Sequence, residues 1–328
     1  MHAFELHQPA SLADAIARSG KNVVYKAAGL DLIDLWKERV EAPATVVNLL
    51  ALGADQGLRG VRADSGGVAI GALATLAEVA DDTTALAGSG FAALREAAAG
   101  AASPQLRHRA TVGGNLLQKN RCWYYRSAGF GCSHNGRAPG CRAVDGESRY
   151  HAVLGQTDCY RVHPSSLAPA LYVLDAVVHV HGKKGERTLP ITQLYPEIAA
   201  AAAPEHTLAA DEVLLAVRVP AAKAHERSAF RESRERQAFD WATTAAAVRL
   251  GIEGGRITSA RICLGAVAPV PLLAEAAAKS LLGKAPSAEL FAQAAAAAYA
   301  GARPLAHNAY KIQVGQSVLV DALHAATR

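Results

Sequence analysis

The chain has 328 residues, of which 51% are hydrophobic and 19% are charged, and this balance predicts a globular protein of two or three domains with a large core. No apolar run approaches the length of a membrane span, and the opening MHAFEL lacks the basic and apolar regions of an export signal, so the sequence predicts neither. The net charge of +5 is modest and no nucleic-acid-binding motif accompanies it, which argues against a nucleic acid partner.

Residues 1–55 are predicted to form a small α/β unit. Ser11 and Asp14 have the spacing of a capping box, which opens a helix that ends at Arg18. Because a strand, a glycine turn and a helix then follow one another, free backbone N–H groups at the helix start offer a phosphate site. The predicted elements after the first helix are a strand, a turn, a helix and a strand, in the order VVYKA (23–27), AG, DLIDLWKER (31–39) and ATVVNLL.

Residues 56–220 are predicted to form a second unit, richer in antiparallel strands. It begins with a hairpin, GVRADSGGVAIGA, followed by helices near 75–80 and 90–101. The motif Gly113-Gly114-Asn115 then lets the backbone approach a ligand closely, since its glycines carry no Cβ. A helix over 165–174 and three strands complete the unit, the strands being AVVHVHG, ERTLPI and EVLLAVRVP.

Residues 225–328 are predicted to form a third unit, an antiparallel sheet with helices. Two strands, WATTAAAVRLGIE and ITSARICLGAV, are joined at Gly254-Gly255. Cys263 lies in the second of them and is most simply a small buried hydrophobic residue. Apolar periodicity predicts three helices after the strands, in LLAEAAAKSLL, AELFAQAAAAAYA and IQVGQSVLVDAL.

The stretch from Thr111 to His163 contains four of the five cysteines. They are Cys122, Cys132, Cys141 and Cys159, with nine, eight and seventeen residues between successive members. Glycines and a proline fall between them, so the stretch is predicted to be loop without helix or strand. A loop of about 40 residues inside a compact domain is usually functional. Something other than a hydrophobic core must therefore fix it.

Four interpretations of these cysteines compete. Two disulfides suit small secreted domains, and structural zinc usually takes closer C-x₂₋₄-C pairs. An iron–sulfur cluster tolerates the wider spacing, and six aromatic residues in the stretch can shield it from water. A Cys–His nucleophile has no preferred partner among four similar thiols. His134, His151 and His163 either hydrogen-bond cluster sulfurs or are ordinary surface and core histidines.

The excess positive charge is concentrated in this stretch. Between residues 105 and 161, nine basic residues face three acidic ones, a balance of 9 − 3 = +6. Since a cluster held by four thiolates is a net anion, nearby guanidinium groups lower its electrostatic cost. The alternative is a solvated basic face or a partner surface. The basic residues are Arg107, Arg109, Lys119, Arg121, Arg126, Arg137, Arg142, Arg149 and Arg161.

The motifs ATVGGNL, RC and HPSSLAPAL resemble the flavoprotein (medium) subunits of the xanthine dehydrogenase family of molybdenum hydroxylases. The cysteine insertion is most similar to that of periplasmic aldehyde oxidoreductase medium subunits, which carry a [4Fe–4S] cluster, and 4-hydroxybenzoyl-CoA reductases have a comparable one. The resemblance spans nearly the whole chain. It implies an α+β fold: a two-subdomain flavoprotein (PCMH-type) domain with an iron–sulfur insertion at 119–163, and a C-terminal antiparallel sheet and helix bundle as in carbon monoxide dehydrogenase flavoprotein subunits.

The resemblance also implies an FAD site, from which this sequence departs at four positions. The family's Gly, Thr, Asp and Lys are replaced by Ala28, Leu30, Ser166 and Glu232. Each change removes a polar group, adds bulk or reverses a charge, which predicts weakened flavin binding and a cleft that is empty or filled by side chains, with Leu30 at the phosphate position. The implied site residues are Ala27, Ala28, Gly29, Leu30, Asp31, Leu32, Thr111, Gly113, Gly114, Asn115, Ser166 and Glu232.

The function implied is electron transfer within a complex, with no catalytic residue on this chain. Electrons would come from a molybdenum-cofactor large subunit and a [2Fe–2S] small subunit, pass through the [4Fe–4S] cluster and FAD, and leave to an external acceptor. Two alternatives remain: an FAD-less iron–sulfur relay and a metal-stapled scaffold. The expected location is cytoplasmic, or periplasmic if the chain is exported on a partner's signal.

Overall fold

The structure, a computed structural model, describes residues 2–53, 57–155, 157–198, 203–237 and 239–328. Within these ranges no helix is both long and apolar enough to cross a lipid bilayer. The strands are β1 (Glu5–His7), β2 (Val23–Lys26), β3 (Thr45–Asn48), β4 (Val61–Asp64), β5 (Gly67–Gly71), β6 (Val177–Gly182), β7 (Gly185–Pro190), β8 (Val213–Pro220), β9 (Glu226–Ser233), β10 (Thr244–Glu253), β11 (Arg256–Gly265) and β12 (Leu272–Leu273). The helices are α1 (Leu12–Ala17), α2 (Leu30–Lys37), α3 (Leu76–Asp81), α4 (Ala92–Gly100), α5 (Pro104–Arg107), α6 (Val112–Leu116), α7 (Trp123–Arg126), α8 (Leu167–Val173), α9 (Glu275–Leu281), α10 (Ala288–Ala298) and α11 (Tyr310–Ala325).

The first sheet is parallel, in the order β1-β3-β2. Its edge strand β1 was not predicted, because three residues are too few to show an alternating pattern. The predicted helix start is confirmed, since the Ser11 hydroxyl accepts from the Asp14 N–H at 3.1 Å. The reciprocal half of the capping box differs: the Asp14 carboxylate accepts from the N–H of Ala10, one residue before the cap.

The second sheet is antiparallel, in the order β4-β5-β8-β6-β7. Its predicted opening hairpin is confirmed, with Val61 opposite Ile70. Helices α3, α4 and α8 cover one face, and their apolar side chains form the largest core with β5, β6 and β8. The predicted helix near 75–80 begins at a full capping box, in which Thr75 and Glu78 bond each other's backbone N–H groups.

The third sheet is antiparallel, in the order β12-β11-β10-β9, which confirms the predicted C-terminal architecture. Strand β10 is buried on both faces: Ala246 and Val248 pack with α9–α11, while Ala245 and Ala247 face the core of the second sheet. This two-sided burial explains why its sequence is mostly apolar without strict alternation. Cys263 is fully buried in β11, as predicted.

The cysteine stretch differs from the prediction in two places, because helix α6 begins directly after Thr111 and a helical turn, α7, begins directly after Cys122. The Arg126 N–H closes the turn on the Cys122 carbonyl at 3.0 Å, and the Arg126 side chain donates to Asn120 O at 2.7 Å. From Leu117 to Ser166 the described residues form no other helix or strand. Hydrogen bonds and ion pairs, not periodic structure, therefore fix this segment.

The packing of α11 against α10 yields a stability prediction. A Cβ on Gly315 would lie 2.0 Å from the hydroxyl oxygen of Tyr299, whose ring is buried and which bonds Thr244 at 3.2 Å. Gly315→Ala should therefore lower the free energy of unfolding by about 1–3 kcal/mol despite its better helix propensity. Gly301→Ala, which meets no atom within 4 Å, is the matched control and should be neutral. Urea unfolding of the two variants tests this, and equal midpoints would contradict it.

Candidate flavin cavity and cysteine site

A cavity of about 570 Å³ lies where the three sheets meet. It is lined by all twelve residues implied as flavin-binding, from Ala27–Leu32, Thr111–Asn115, Ser166 and Glu232. Its volume falls in the range of small-molecule and cofactor sites. The sequence predicted a cleft that is empty or filled by side chains; the cleft is open, and Leu30 lines its wall with 42% of its surface exposed.

The turn before α2 offers unpaired backbone donors to the cavity. Gly29 has φ +81°, a left-handed conformation that favours glycine, and it forms the N-cap of α2. Among the described residues, no group accepts from the N–H groups of Leu30, Asp31 or Leu32. Free N–H groups at a helix N-terminus bind phosphate oxygens. The turn thus keeps its anion-binding capacity although two of its side chains depart from the family pattern.

Lys26, at the end of β2, adds a cation beneath this turn and was missed by the sequence analysis. Its ammonium donates to the carbonyl of Ala27 at 3.0 Å and approaches Asn48 Oδ1 at 3.4 Å. Burial, with a smaller contribution from Arg109, lowers the pKa of Lys26. The signal that marks it is a lysine in the last position of the strand that precedes a glycine turn.

The motif Gly113-Gly114-Asn115 lines the cavity, but its backbone N–H groups are not free to bind a ligand. Its three N–H groups are engaged within the protein: Gly113 donates to Ala72 O at 2.8 Å, and Gly114 and Asn115 donate to the Thr111 hydroxyl and carbonyl at 3.1 and 2.8 Å. A Cβ on Gly113 would lie 3.1 Å from Ala72 O. The glycine is therefore needed for α6 to approach the end of β5, besides lining the cavity.

Two side chains near α6 and α8 retain polar atoms for a ligand. The Asn115 Oδ1 accepts from Ser165 Oγ at 2.6 Å and from Leu167 N at 3.3 Å, which orients the side-chain amide. No group of the described chain bonds the hydroxyl of Ser166, which lines the cavity. A shorter hydroxyl thus stands where the family has a carboxylate.

Glu232 does not present a bare negative charge to the cavity, contrary to expectation. Its carboxylate pairs with Arg234, and the two side chains are 10% and 7% exposed. Burial raises the pKa of Glu232, while Arg234 opposes that shift. Arg234 also lines the cavity and donates to Gly100 O. The pair is close to neutral, so this part of the cavity wall carries little net charge.

Trp241 and Arg121 lie together at the cavity wall, and neither was assigned to it from the sequence. The Arg121 guanidinium carbon lies 4.4 Å from the centroid of the Trp241 ring, a cation–π contact. Arg121 also donates to Gln118 Oε1 at 2.9 Å. Since Cys122 follows Arg121 directly, the cavity wall continues into the cysteine site.

The four cysteines of the loop converge on one small cavity. Its lining includes Cys122, Cys132, Cys141 and Cys159, and its volume is about 10 Å³, close to that of one water molecule. All five cysteines of the chain are free thiols in the structure. Within the described ranges, no group of three or more His, Cys, Asp or Glu side chains is arranged to hold a single metal ion.

The thiols are buried and close enough to affect one another's ionisation. Burial raises the pKa of Cys122 to about 12; N–H groups of Tyr125 and Tyr124 oppose this, and Cys141 and Cys159 add to it. The pKa of Cys141 is likewise raised, first by burial and then by neighbouring cysteines. Thiols in such a site stay protonated unless a cation compensates their charge, which is the condition that metal binding meets.

The three histidines of the stretch have different surroundings. His151 Nε2 lies 3.3 Å from Cys122 Sγ, and burial lowers the pKa of His151 to about 4. His134 instead contacts Glu205 at 2.9 Å. His163 packs against Tyr195, with ring centroids 4.3 Å apart, and burial lowers its pKa to about 3. His151 thus approaches a cysteine sulfur through Nε2, whereas the ring of His163 packs against an aromatic ring.

The basic residues nearest Cys122 do not face the thiols, contrary to one expectation. Arg126 bonds Asp31 at 2.5 Å and Asp34 at 3.0 Å, and Arg121 bonds Asp31 at 2.9 Å. Lys119 pairs with Glu41. These contacts join the cysteine loop to the flavin-side helix α2. The basic residues that line the cysteine cavity are Arg142 and Arg161.

Comparison with known proteins places these two sites in context. Residues 2–222 match the family described as the FAD binding domain in molybdopterin dehydrogenase, and residues 228–326 match the CO dehydrogenase flavoprotein C-terminal domain. The aldehyde oxidoreductase FAD-binding subunit PaoB of Escherichia coli K12 is 31% identical over 91% of this chain and 90% of that protein. The carbon monoxide dehydrogenase medium chain of Afipia carboxidovorans is 30% identical over 86% and 81%.

Solved structures agree with this relationship. The Cu,Mo-CO dehydrogenase structure superposes with a TM-score of 0.76 at 25% identity, covering 99% of this chain and 98% of that one. Carbon monoxide dehydrogenase from Hydrogenophaga pseudoflava gives 0.75 at 26% identity, with the same coverage. The chain therefore belongs to the family of FAD-binding medium subunits of the molybdenum hydroxylases, which are oxidoreductase subunits.

Proposed function

We propose that this chain is the electron-transfer medium subunit of a molybdenum hydroxylase complex, carrying FAD in the large cavity and a [4Fe–4S] cluster in the cysteine site. The observation that carries the proposal is the wall that the two cavities share. Leu35 of α2 lines the flavin cavity and also packs in one cluster with Tyr125, Cys122 and Cys132. Two redox centres in these positions would be close neighbours.

The residues of the large cavity fit a dinucleotide flavin. The N–H groups of Leu30 to Leu32 and the ammonium of Lys26 would hold the pyrophosphate. The Asn115 amide and the Ser166 hydroxyl would bond flavin or ribityl oxygens, and the Glu232–Arg234 pair lines the far wall without a net charge. FAD, when bound, supplies the capacity to accept and release electrons one or two at a time. The protein's own part is to bind, orient and shield it.

The spacing of the four cysteines suits a cluster better than a single ion, although the small cavity between them would have to widen to admit it. A tetrahedral ion needs its ligands to converge on one point, whereas each iron of a [4Fe–4S] cluster takes one thiolate, so wide loop spacing is tolerated. Four thiols line one cavity, N–H groups of Tyr124 and Tyr125 bond Cys122, and the surrounding aromatic rings limit water. Iron would hold these buried thiols in the ionised form that burial alone disfavours.

The proposed partners follow from the medium-subunit relationship. The carbon monoxide dehydrogenase relatives are named medium chains, and we extend this to a complex with a molybdenum-cofactor large subunit, a [2Fe–2S] small subunit and an external electron acceptor. The similarity to FAD-binding subunits favours a subunit with FAD over an FAD-less relay. Location in the cytoplasm, or in the periplasm through a partner's signal, stays a prediction, as do the domain limits 1–55, 56–220 and 225–328.

The flavin assignment predicts a specific effect at Gly29. Gly29→Ala would place a Cβ at 3.0 Å from Lys26 Cε and 3.1 Å from Ile33 Cδ1, at a positive φ. The turn should shift, and FAD affinity should fall by about tenfold, in line with the ~1–2 kcal/mol cost of this backbone conformation. Gly283→Ala, at φ +76° with no neighbour within 4 Å and away from the cavity, is the control. FAD-to-protein ratios after gel filtration measure both, and equal retention would refute the phosphate site.

The ion pair at the far wall predicts that restoring the family's lysine is harmful. Glu232→Lys would place a second cation beside buried Arg234, so unfolding free energy should fall by about 3–5 kcal/mol without a gain in flavin affinity. Glu235→Lys makes the same charge change at a side chain that is 51% exposed, and should cost less than about 1 kcal/mol. Thermal unfolding and FAD titration of the Glu232→Lys and Glu235→Lys variants test this prediction. Tighter FAD binding by a stable Glu232→Lys protein would show that Glu232 blocks the site.

The cluster assignment predicts loss of iron from single substitutions. Replacing Cys122, Cys132, Cys141 or Cys159 with Ser should remove iron and sulfide and disorder the loop, since metal binding and local folding are coupled. Cys263→Ser, in the core of β11, should leave iron content unchanged. Iron and acid-labile sulfide per chain in the purified complex are the measurement. Full iron in all four loop variants would end the assignment.

A further inference from the structure

The first turn of α11 lies against the last third of the cysteine loop, and Lys311 is the centre of this contact. Its side chain is fully buried, and its ammonium donates to the carbonyls of Tyr150 at 3.3 Å, His151 at 3.0 Å and Ala266 at 2.8 Å. These three acceptors match the three N–H donors of an ammonium group. No carboxylate of the described chain pairs with Lys311. Burial lowers its pKa to about 7.

Asn308, also fully buried, contacts the same loop carbonyl. Its Nδ2 donates to His151 O at 3.1 Å and to Ala152 O at 3.3 Å, while its Oδ1 accepts from the Leu305 N–H at 2.7 Å. The His151 carbonyl thus receives two side-chain donors from the start of the C-terminal helix. Burying an ammonium and an amide is costly unless both are hydrogen-bonded, and here both donate to the His151 carbonyl, which fixes the position of that residue.

The ring of His151 is held on its other sides by aromatic residues. Trp123 and Tyr124 lie with centroids 5.5 and 5.9 Å from the imidazole. In this orientation its Nε2 is 3.3 Å from Cys122 Sγ, within the range for a hydrogen bond to sulfur. The backbone anchors and the aromatic contacts therefore determine which nitrogen meets the thiol.

We infer that Lys311 and Asn308 are positioning residues for the cysteine site, which act through the His151 carbonyl to hold the imidazole Nε2 against Cys122 Sγ. While Cys122 is a thiol, Nε2 accepts from S–H; once Cys122 is an ionised ligand, a neutral imidazole protonated at Nε2 donates to the sulfur. Hydrogen bonds to ligand sulfurs raise the reduction potential of a cluster. This last consequence rests on the proposed cluster, but the positioning itself does not.

The test is a double-mutant cycle in the complete purified complex. Lys311→Met, which keeps the length of the side chain, and His151→Phe should each shift the cluster's midpoint potential to more negative values in an EPR-monitored redox titration. Because Lys311 acts through His151, the double variant should shift no further than His151→Phe alone. Additive shifts, or an unchanged potential in Lys311→Met, would overturn the inference.

Two controls separate positioning from general stability. Lys279→Met removes an ammonium whose side chain is 77% exposed on α9, and should leave the potential unchanged. Val318→Ala truncates a core residue of α11, 8% exposed, and should lower the thermal midpoint without changing the potential. A potential that tracks thermal stability across the variants would mean that Lys311 is merely structural, and this too would overturn the inference.

A second measurement uses the complex after its iron has been removed with a chelator, because a cysteine that ligates iron does not react freely with an alkylating reagent. The alkylation rate of Cys122 by iodoacetamide, followed by mass spectrometry, should rise at least tenfold in Lys311→Met and in Asn308→Ala, while Lys279→Met matches the wild-type rate. If the wild-type complex contains no iron or sulfide, the proposed cluster is wrong, and these rates decide the inference alone. Wild-type rates in both variants would then overturn it.

Discussion

The ion pairs between Arg126 and the two aspartates of α2 connect the cysteine loop to the helix that borders the flavin cavity. Arg126 is 10% exposed at its side chain and Asp31 is 18% exposed, so the contact is strong enough to matter. Asp31 lies in the first turn of α2, where its charge would repel a bound phosphate. Neutralisation by Arg126 and Arg121 removes that repulsion. The same contact holds Arg126, which directly follows Cys122–Tyr125. It therefore couples the position of the turn before α2 to that of the cysteine loop.

Helices and strands whose sequences have a clear apolar period could be predicted from the sequence. Elements whose position depends on contacts with neighbouring elements could not. The pair β10–β11 and the helices after it carry their own apolar patterns, and they lie where expected. Strand β9 was missed because its sequence, ERSAFRES, is mostly polar. Its register is fixed from outside, by pairing with β10 and by Ser228 Oγ, which accepts from the Ala93 N–H at 3.0 Å.

The candidate site shows the same division. Glycine-rich motifs located the flavin cavity, and convergence of the four cysteines on one void agrees with the spacing argument. The hydrogen-bond and ion-pair partners of individual groups could not be predicted from the sequence, because these partners are residues that are distant along the chain. Ala72 takes the Gly113 N–H, and Asp31 takes the side chain of Arg126. Glu232 was expected to place a negative charge in the cavity, but it forms a buried ion pair with Arg234. Arg234 is only two residues away in sequence, yet the pairing depends on the strand geometry, which the sequence does not show.

The four departures from the family's flavin pattern are less damaging than they look, because a backbone donor cannot be removed by substitution. Ala28 and Leu30 change the side chains of the turn. The backbone N–H groups of Leu30 to Leu32 still open onto the cavity beside Lys26. Loss of a side-chain hydroxyl costs one hydrogen bond, about 0.5–1.5 kcal/mol, whereas the helix N-terminus and the ammonium of Lys26 persist. These donors line a cavity of about 570 Å³, so its walls are better understood as a flavin site with altered contacts than as a remnant.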